Sequence, residues 1–398
     1  MSPAGRSTGH GPALTAGLGA GEPGRRRLLR ATALPALAAA LAACGRRSAP
    51  DLPDLVALGQ NDAKQHWSRS FGYAGAGFRP AVAGDQVLAL DREGRLARLA
   101  ADSGKVLGEA DLDTAMASGL GSDGRIHVGV NDNGLLIAFG DDGRRLWEAD
   151  LGAEALSLPS VGQGMVLLFL SNSTVAAYDL QSGLRRWVHT RRPTSLVLRQ
   201  TAMITIDTAT AYVGLPGGRV VALTLSNGAT RWDGGISAPR GSNEIERITD
   251  ILGSPKLVGN QLCSAAFQGR LTCLDPDTGR ALWSNELNCA GGLDMDAKVI
   301  VAGDVNDKLH GFSRSYLPLW TNGSLRGRRL GQPVLSEGRV YVGDAGGAVH
   351  VLDSTDGRLV GRIETRGGAI PSPGVPVRTG QGAIVVFQTA NGSLVAIS

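Results

Sequence analysis

Through most of the chain, short apolar runs alternate with glycine-bearing turns. Val340-Tyr341-Val342 and Ala348-Val349-His350-Val351-Leu352, split by Gly343-Asp344-Ala345-Gly346-Gly347, are typical. Runs of this length with β-branched residues, bounded by Gly and Asp, read as strands joined by hairpin turns. In this stretch the pattern predicts strands over 333–335, 340–342, 348–352 and 358–360.

The same stretch recurs. Gly269-Arg270-Leu271-Thr272-Cys273-Leu274-Asp275 through Thr278-Gly279 to Trp283 fits G-x-L-x-A-L-D-x-x-T-G-x-x-x-W. Further copies run from Gly134 to Trp147, Ser173 to Trp187 and Gly218 to Trp232, with looser ones at 94–107, 307–320 and 347–360. An eighth copy starts at Gly392 and stops at Ser398, before its last strand. That strand is available at the other end, in Lys64-Gln65-His66-Trp67-Ser68. All six tryptophans (Trp67, Trp147, Trp187, Trp232, Trp283 and Trp320) stand at the last position of a repeat, and Leu107 and Val360 take the two remaining places. Successive positions then lie 40, 40, 40, 45, 51, 37 and 40 residues apart.

Four strands in about 40 residues is the blade of a β-propeller. The fold class is therefore all-β: an eight-bladed β-propeller of four-stranded blades over 63–398, closed by the N-terminal strand. Closure leaves no open sheet edge within the ring. The tryptophans are expected to pack one blade on the next, a structural role for large flat side chains.

Composition agrees with many turns: 57 of 398 residues are Gly, about twice the usual ~7%. The net charge of +4 is local. Arg6, Arg25, Arg26, Arg27 and Arg30 against Glu22 give 5 − 1 = +4 within 1–43, so the rest is neutral. A neutral body gives no electrostatic footprint for nucleic acid. The basic stretch precedes an apolar segment, 31–43, too short to cross a bilayer and suited to a signal peptide. It ends in Leu41-Ala42-Ala43-Cys44, which resembles the bacterial lipobox, in which the cysteine is lipidated. Gly45, rather than the Asp that retains such proteins at the inner membrane, implies the outer membrane. Residues 1–43 are thus read as a lipoprotein signal and 44–62 as a tether.

The connections between repeats are unequal. From a tryptophan position to the next repeat start is usually 26 or 27 residues, but 31 from Trp187 to Gly218 and 37 from Trp232 to Gly269. Extra residues in equivalent connections of adjacent blades emerge side by side, and such insertions often form a binding face.

The repeat resembles the pyrroloquinoline-quinone-type propeller repeat. With the lipobox, the eight repeats and the segment Gly241-Ser242-Asn243-Glu244-Ile245-Glu246-Arg247-Ile248-Thr249-Asp250, the chain is similar over nearly its full length to the BamB family of lipoproteins. Those proteins serve the machinery that assembles β-barrels into the outer membrane. The resemblance implies a non-enzymatic scaffold without cofactor, lipid-anchored on the periplasmic side, acting as a monomer within the complex. It implies binding to the POTRA repeats of BamA through Leu196, Leu198, Arg199 and Asp250, with Glu244 and Arg247 beside them. Leu252 departs from the family, which often has an acid there.

The rival class is a periplasmic quinoprotein dehydrogenase, which shares the repeat but commonly sets two adjacent cysteines against the quinone. Here Cys44, Cys263, Cys273 and Cys289 are all separated. The five histidines of the body are scattered without metal-ligand spacing. Export permits a disulfide. A two-residue turn would pair Cys263 with Leu274, whereas a three-residue loop would set it opposite Cys273; Cys289 is the leftover or an alternative partner. The lipobox carries a direct test: Cys44→Ala should yield an unlipidated, soluble periplasmic form, and unchanged membrane association on fractionation would overturn the reading.

Overall fold

The computed structural model describes residues 52–75, 77–192, 204–243 and 245–398. Their strands form eight four-stranded antiparallel sheets arranged as the blades of one propeller. Blades 1 to 7 span 81–111, 121–150, 160–190, 205–235, 251–286, 289–322 and 334–364. Each is a simple meander from the innermost to the outermost strand. Blade 8 takes its inner three strands from 375–397 and its outermost from Gln65–Ser70, which pairs antiparallel with Ser393–Ile397. Lys64 and Ser398 exchange backbone hydrogen bonds at 2.8 and 2.9 Å and extend this closure. In blade 7 the strands are Val334–Ser336, Arg339–Gly343, Ala348–Asp353 and Leu359–Glu364, the outermost running four residues beyond the stretch expected from the pattern.

The core is divided among the seams. One cluster joins Val128, Leu136 and Ala138 of blade 2 to Val166, Leu168 and Tyr178 of blade 3. Another joins Val87 and Leu99 of blade 1 to Trp67, Val386 and Leu394 of blade 8. Burial at each seam supplies the main adhesion, at roughly 25 cal/mol per Å² of apolar surface.

Six of the eight seams are closed at the rim by tryptophan. The indole N–H of Trp67 donates to Ala101 O at 2.7 Å, Trp147 to Leu180 O at 2.9 Å and Trp187 to Leu225 O at 2.7 Å. Trp232 donates to Pro276 O at 2.8 Å and Trp320 to Ser354 O at 2.9 Å. Every acceptor lies in the turn before the outermost strand of the following blade. The ring covers the glycine of that turn: a Cβ on Gly279, whose φ is +69°, would lie 2.6 Å from Trp232. Gly104, Gly183, Gly228 and Gly357 meet Trp67, Trp147, Trp187 and Trp320 in the same way. Trp283 faces a turn with Tyr316 at the glycine's place; Tyr316 holds φ +71° and stacks on the indole at 5.2 Å and 7°. The turn aspartates hold the loop itself, as Asp275 Oδ1 does by accepting from the amides of Asp277 and Thr278.

Two seams lack tryptophan, and the structure corrects which residues replace it. Leu107 and Val360 do not occupy the tryptophan position, which lies four residues after the turn glycine and falls on Gly108 and Gly361. Ala177 faces Trp187, while the corresponding partners are Arg98 to Gly108 and Val351 to Gly361. Leu107 and Val360 are the bulge residues. At blade 1 the space is taken by Arg98, whose guanidinium lies 3.0 Å from where a Gly108 Cβ would sit and bonds Asp141 Oδ2 of blade 2 at 3.2 Å. At blade 7 it is taken by Asn61 and Ala63, the latter's amide lying 2.5 Å from where a Gly361 Cβ would sit.

Cys263 and Cys273 face each other across the hairpin of blade 5, whose loop is 267–269, and are joined by a disulfide. Cys289 is a buried free thiol in the same cluster, and burial pushes its pKa up to about 12.

Two outcomes follow from this packing. Gly84→Ala, with φ +63° and open space around it, should cost about 1 kcal/mol for the left-handed backbone alone. Gly279→Ala adds the overlap with Trp232 and should cost ~3 kcal/mol, near the ~3–5 kcal/mol of Trp232→Ala. Equal melting temperatures for the two glycine variants would refute the rim contact. In the unlipidated chain from Gly45 onward, a maleimide should label no thiol in the folded state and one after denaturation without reductant. Native labelling would overturn the burial of Cys289.

Candidate functional site

A four-stranded meander reverses at every turn. The connectors between blades therefore emerge on the same face as the turns between second and third strands. Two connectors are longest: 191–204 between blades 3 and 4, and 236–250 between blades 4 and 5, with 323–333 next. They lie on neighbouring blades of this connector face.

The face has a regular inner ring of capped turns. In blade 7 Asp344 Oδ1 accepts from the amides of Gly346 and Ala348, both at 2.9 Å. Asp91, Asn131 and Asp304 do the same in blades 1, 2 and 6. A short polar side chain that bonds its own turn is the ordinary device for such loops. Blade 4 has Leu215-Pro216-Gly217-Gly218 at this place and so has no acid of its own. Asp250 supplies one from the end of the connector, its Oδ1 accepting from Gly217 N at 3.2 Å.

This corrects one expected surface residue. Asp250 is only 5% exposed; its carboxylate caps the blade 4 turn and holds the connector to it. Leu252, where the family often has an acid, is 1% exposed in the core between blades 5 and 6. Arg247 is exposed. Leu196, Leu198, Arg199 and Glu244 lie outside the described residues.

The described part of the second connector is organised by its own polar groups. Glu246 turns back and accepts from Ser242 N at 2.8 Å and Ser242 Oγ at 3.0 Å, and the Ser242 amide in particular holds its carboxyl below the usual range. Asn243 Oδ1 accepts from Glu246 N at 2.9 Å, so the loop forms a tight reversal. With those groups satisfied locally, Ile245 is left 68% exposed at the tip. Sequence reasoning placed Ile245 in a motif but not in the site; its signal was an isoleucine between two acids, with no apolar alternation to draw it into a strand. Asp233 joins the bases of the two connectors, bonding Arg191 Nη1 at 2.8 Å and Arg219 Nε at 2.7 Å. Arg240 of the second connector and Arg270 of blade 5 share Glu286, at 3.5 and 2.6 Å.

Such a surface offers contacts for a partner. Among the described residues, no three His, Cys, Asp or Glu converge as metal ligands. The histidines are taken up within blades: His310 and His350 bond the turn aspartates Asp304 and Asp344 at 3.0 and 2.9 Å, and His127 bonds Asp141 at 2.9 Å.

Comparison with known proteins agrees with this reading. A family model described as "Outer membrane protein assembly factor BamB" matches residues 92–316 and 274–398. The chain is 34% identical to the BamB of Bordetella pertussis over 334 residues, 83% of this chain and 86% of that protein. It is 35% identical to that of Burkholderia pseudomallei, covering 82% and 86%, and 32% identical to that of Escherichia coli, covering 74% and 79%. The crystal structure of BamB from Moraxella catarrhalis superposes with a TM-score of 0.75 at 25% identity, covering 84% of this chain and 99% of that one. The quinohemoprotein alcohol dehydrogenase of Comamonas testosteroni, at 12% identity and a TM-score of 0.63, shares the fold alone. The chain belongs to the BamB family of outer membrane protein assembly factors, which are not enzymes.

Proposed function

We propose that this assembly factor is a lipid-anchored scaffold on the periplasmic side of the outer membrane. It docks on the POTRA repeats of BamA, and thereby joins the assembly complex and aids folding and insertion of barrel proteins. The observation that carries the docking is the pairing of the two longest connectors on one face, with an exposed apolar tip among charges. Ile245 stands 68% exposed, flanked by Arg240 and Arg247, over a base fixed by Arg191, Asp233 and Arg219. An apolar centre with a charged rim is the usual anatomy of an interface. Leu196, Leu198, Arg199 and Glu244 complete the patch on this reading. Asp250 supports it from beneath.

Arginine anchors often cost ~2 kcal/mol or more when truncated, so Arg199→Ala should weaken binding to the POTRA region about 30-fold. Exposed loop changes shift stability by under ~0.5 kcal/mol, so its melting temperature should hold. Asp250→Ala should behave differently. It removes the cap of the blade 4 turn, and should weaken docking together with a stability loss of about 1–2 kcal/mol. Normal BamA binding by a Leu198→Ala, Arg199→Ala double variant in pull-down would sink the docking surface.

A further inference from the structure

The stretch read as a free tether is not free near the ring. Residues 52–63 run down the rim of blade 7, from the connector face to the closing strand. Leu52 lies over Gly346, its Cδ1 3.1 Å from where a Cβ there would sit, and Pro53 lies over Gly327. Arg328 Nη1 donates to Pro53 O at 2.6 Å while its Nε bonds Asp344 at 2.8 Å. Arg362 Nη2 donates to Val56 O at 2.6 Å. The Asn61 side chain makes both bonds an edge residue would make, donating to Arg362 O and accepting from Arg362 N, each at 2.9 Å. Asp62 N then donates to Val360 O at 2.9 Å.

This strap fixes where the chain leaves the fold. It leaves at the connector face, over the blade 6 and 7 sector. Only residues 45–51 separate Leu52 from Cys44, a reach of about 29 Å at most. The sector is basic. Connectors 323–333 and 365–374 expose Arg326, Arg329 and Arg366. The nearby acids are Asp344, which is buried against Arg328 and His350, Asp307, which accepts the amides of Arg329 and Leu330, and Asp54, exposed in the strap beside Pro53. Glu364 stands at the rim. The opposite sector, over blades 1 to 3, is acidic, with exposed Glu93, Asp113, Asp132 and Glu154 against Arg92 and Arg95.

We infer that the blade 6–8 sector of the connector face is a membrane-facing patch that binds anionic phospholipid headgroups through Arg326, Arg329 and Arg366. The strap delivers it there and the acidic sector tilts away. The inference builds on anchoring at Cys44 for the orientation, but the headgroup contact itself needs no anchor. Fixed charges of one sign near an anionic surface attract it, each basic side chain adding about five-fold to the partition. The short tether raises the local headgroup concentration to the range in which such a weak patch is occupied.

The test uses the chain from Gly45 onward, which holds every element of the ring and carries no lipid. It is sedimented with vesicles of phosphatidylethanolamine alone, or with one part in four phosphatidylglycerol, at low salt. It should bind the anionic vesicles at least ten-fold better and be released as salt shortens the screening length. The triple variant Arg326→Glu, Arg329→Glu, Arg366→Glu should lose about 100-fold or more in partition, with its melting temperature and its binding to the POTRA region unchanged. Arg144→Glu, Arg280→Glu, Arg358→Glu, three exposed turn arginines on the opposite face, should bind vesicles as the unmodified chain does. No binding to anionic vesicles, equal binding to both, or equal loss in the two triple variants would overturn the patch. Because the vesicles contain no protein, failure of BamA docking would leave this result standing.

Discussion

The ring depends on one repeated contact, an indole lying over the turn of the next blade. The contact joins three things in one place: buried area, a hydrogen bond to a carbonyl, and a turn glycine that leaves room for the ring. In a propeller each blade touches only its neighbours, so stability is roughly a chain of such seams. Closure makes every seam necessary. Where the indole is missing, another group fills the same space. Arg98 bridges to Asp141 across the seam of blades 1 and 2, and the strap lies against Gly361 at the seam of blades 7 and 8. Where the glycine is missing, Tyr316 accepts a left-handed backbone and stacks on Trp283 instead. The geometry of the seam is kept while its chemistry varies.

The connector face is built on a second regularity. In blades 1, 2, 6 and 7 the turn on this face is capped by the blade's own Asp or Asn, which leaves the connectors to vary without loosening those blades. Loops on a rigid scaffold are where recognition is usually found. Blade 4 ties the two layers together, because its cap comes from the connector. Asp250 makes the position of the 236–250 loop a property of the blade, so Ile245 and Arg247 are displayed from a fixed base.

Much of the fold was legible because its signal is local and periodic. The tryptophan spacing, the glycine turns and the incomplete last repeat are all visible in the chain, and they lead to eight blades and to closure by Gln65–Ser70. The 40-residue interval misled at Leu107 and Val360, whereas four residues on from the turn glycines Gly104 and Gly357 the place falls on Gly108 and Gly361. The pairing of Cys263 with Cys273 depended on the length of one loop, which composition left open. The unequal connectors were legible as lengths, but not the inward turn of Asp250, whose partner amide is 33 residues away. The strap was not legible at all. Asn61 meets Arg362 across 301 positions, and the mostly apolar run from Leu52 to Leu58 before the first strand does not signal a partner so distant.

The strap also gives the ring a mechanical order. Any pull on the chain ahead of Leu52 reaches Pro53, Val56 and Asn61 before it reaches the strand that closes the propeller. Those bonds lie along the rim between the connector face and the closing strand. That strand enters from the far face, paired with Ser393–Ile397 and pinned by Trp67, so a pull that reached its first residue would peel it. The strap thus works as a strain relief between whatever tugs on the leading chain and the one joint whose failure would open the ring.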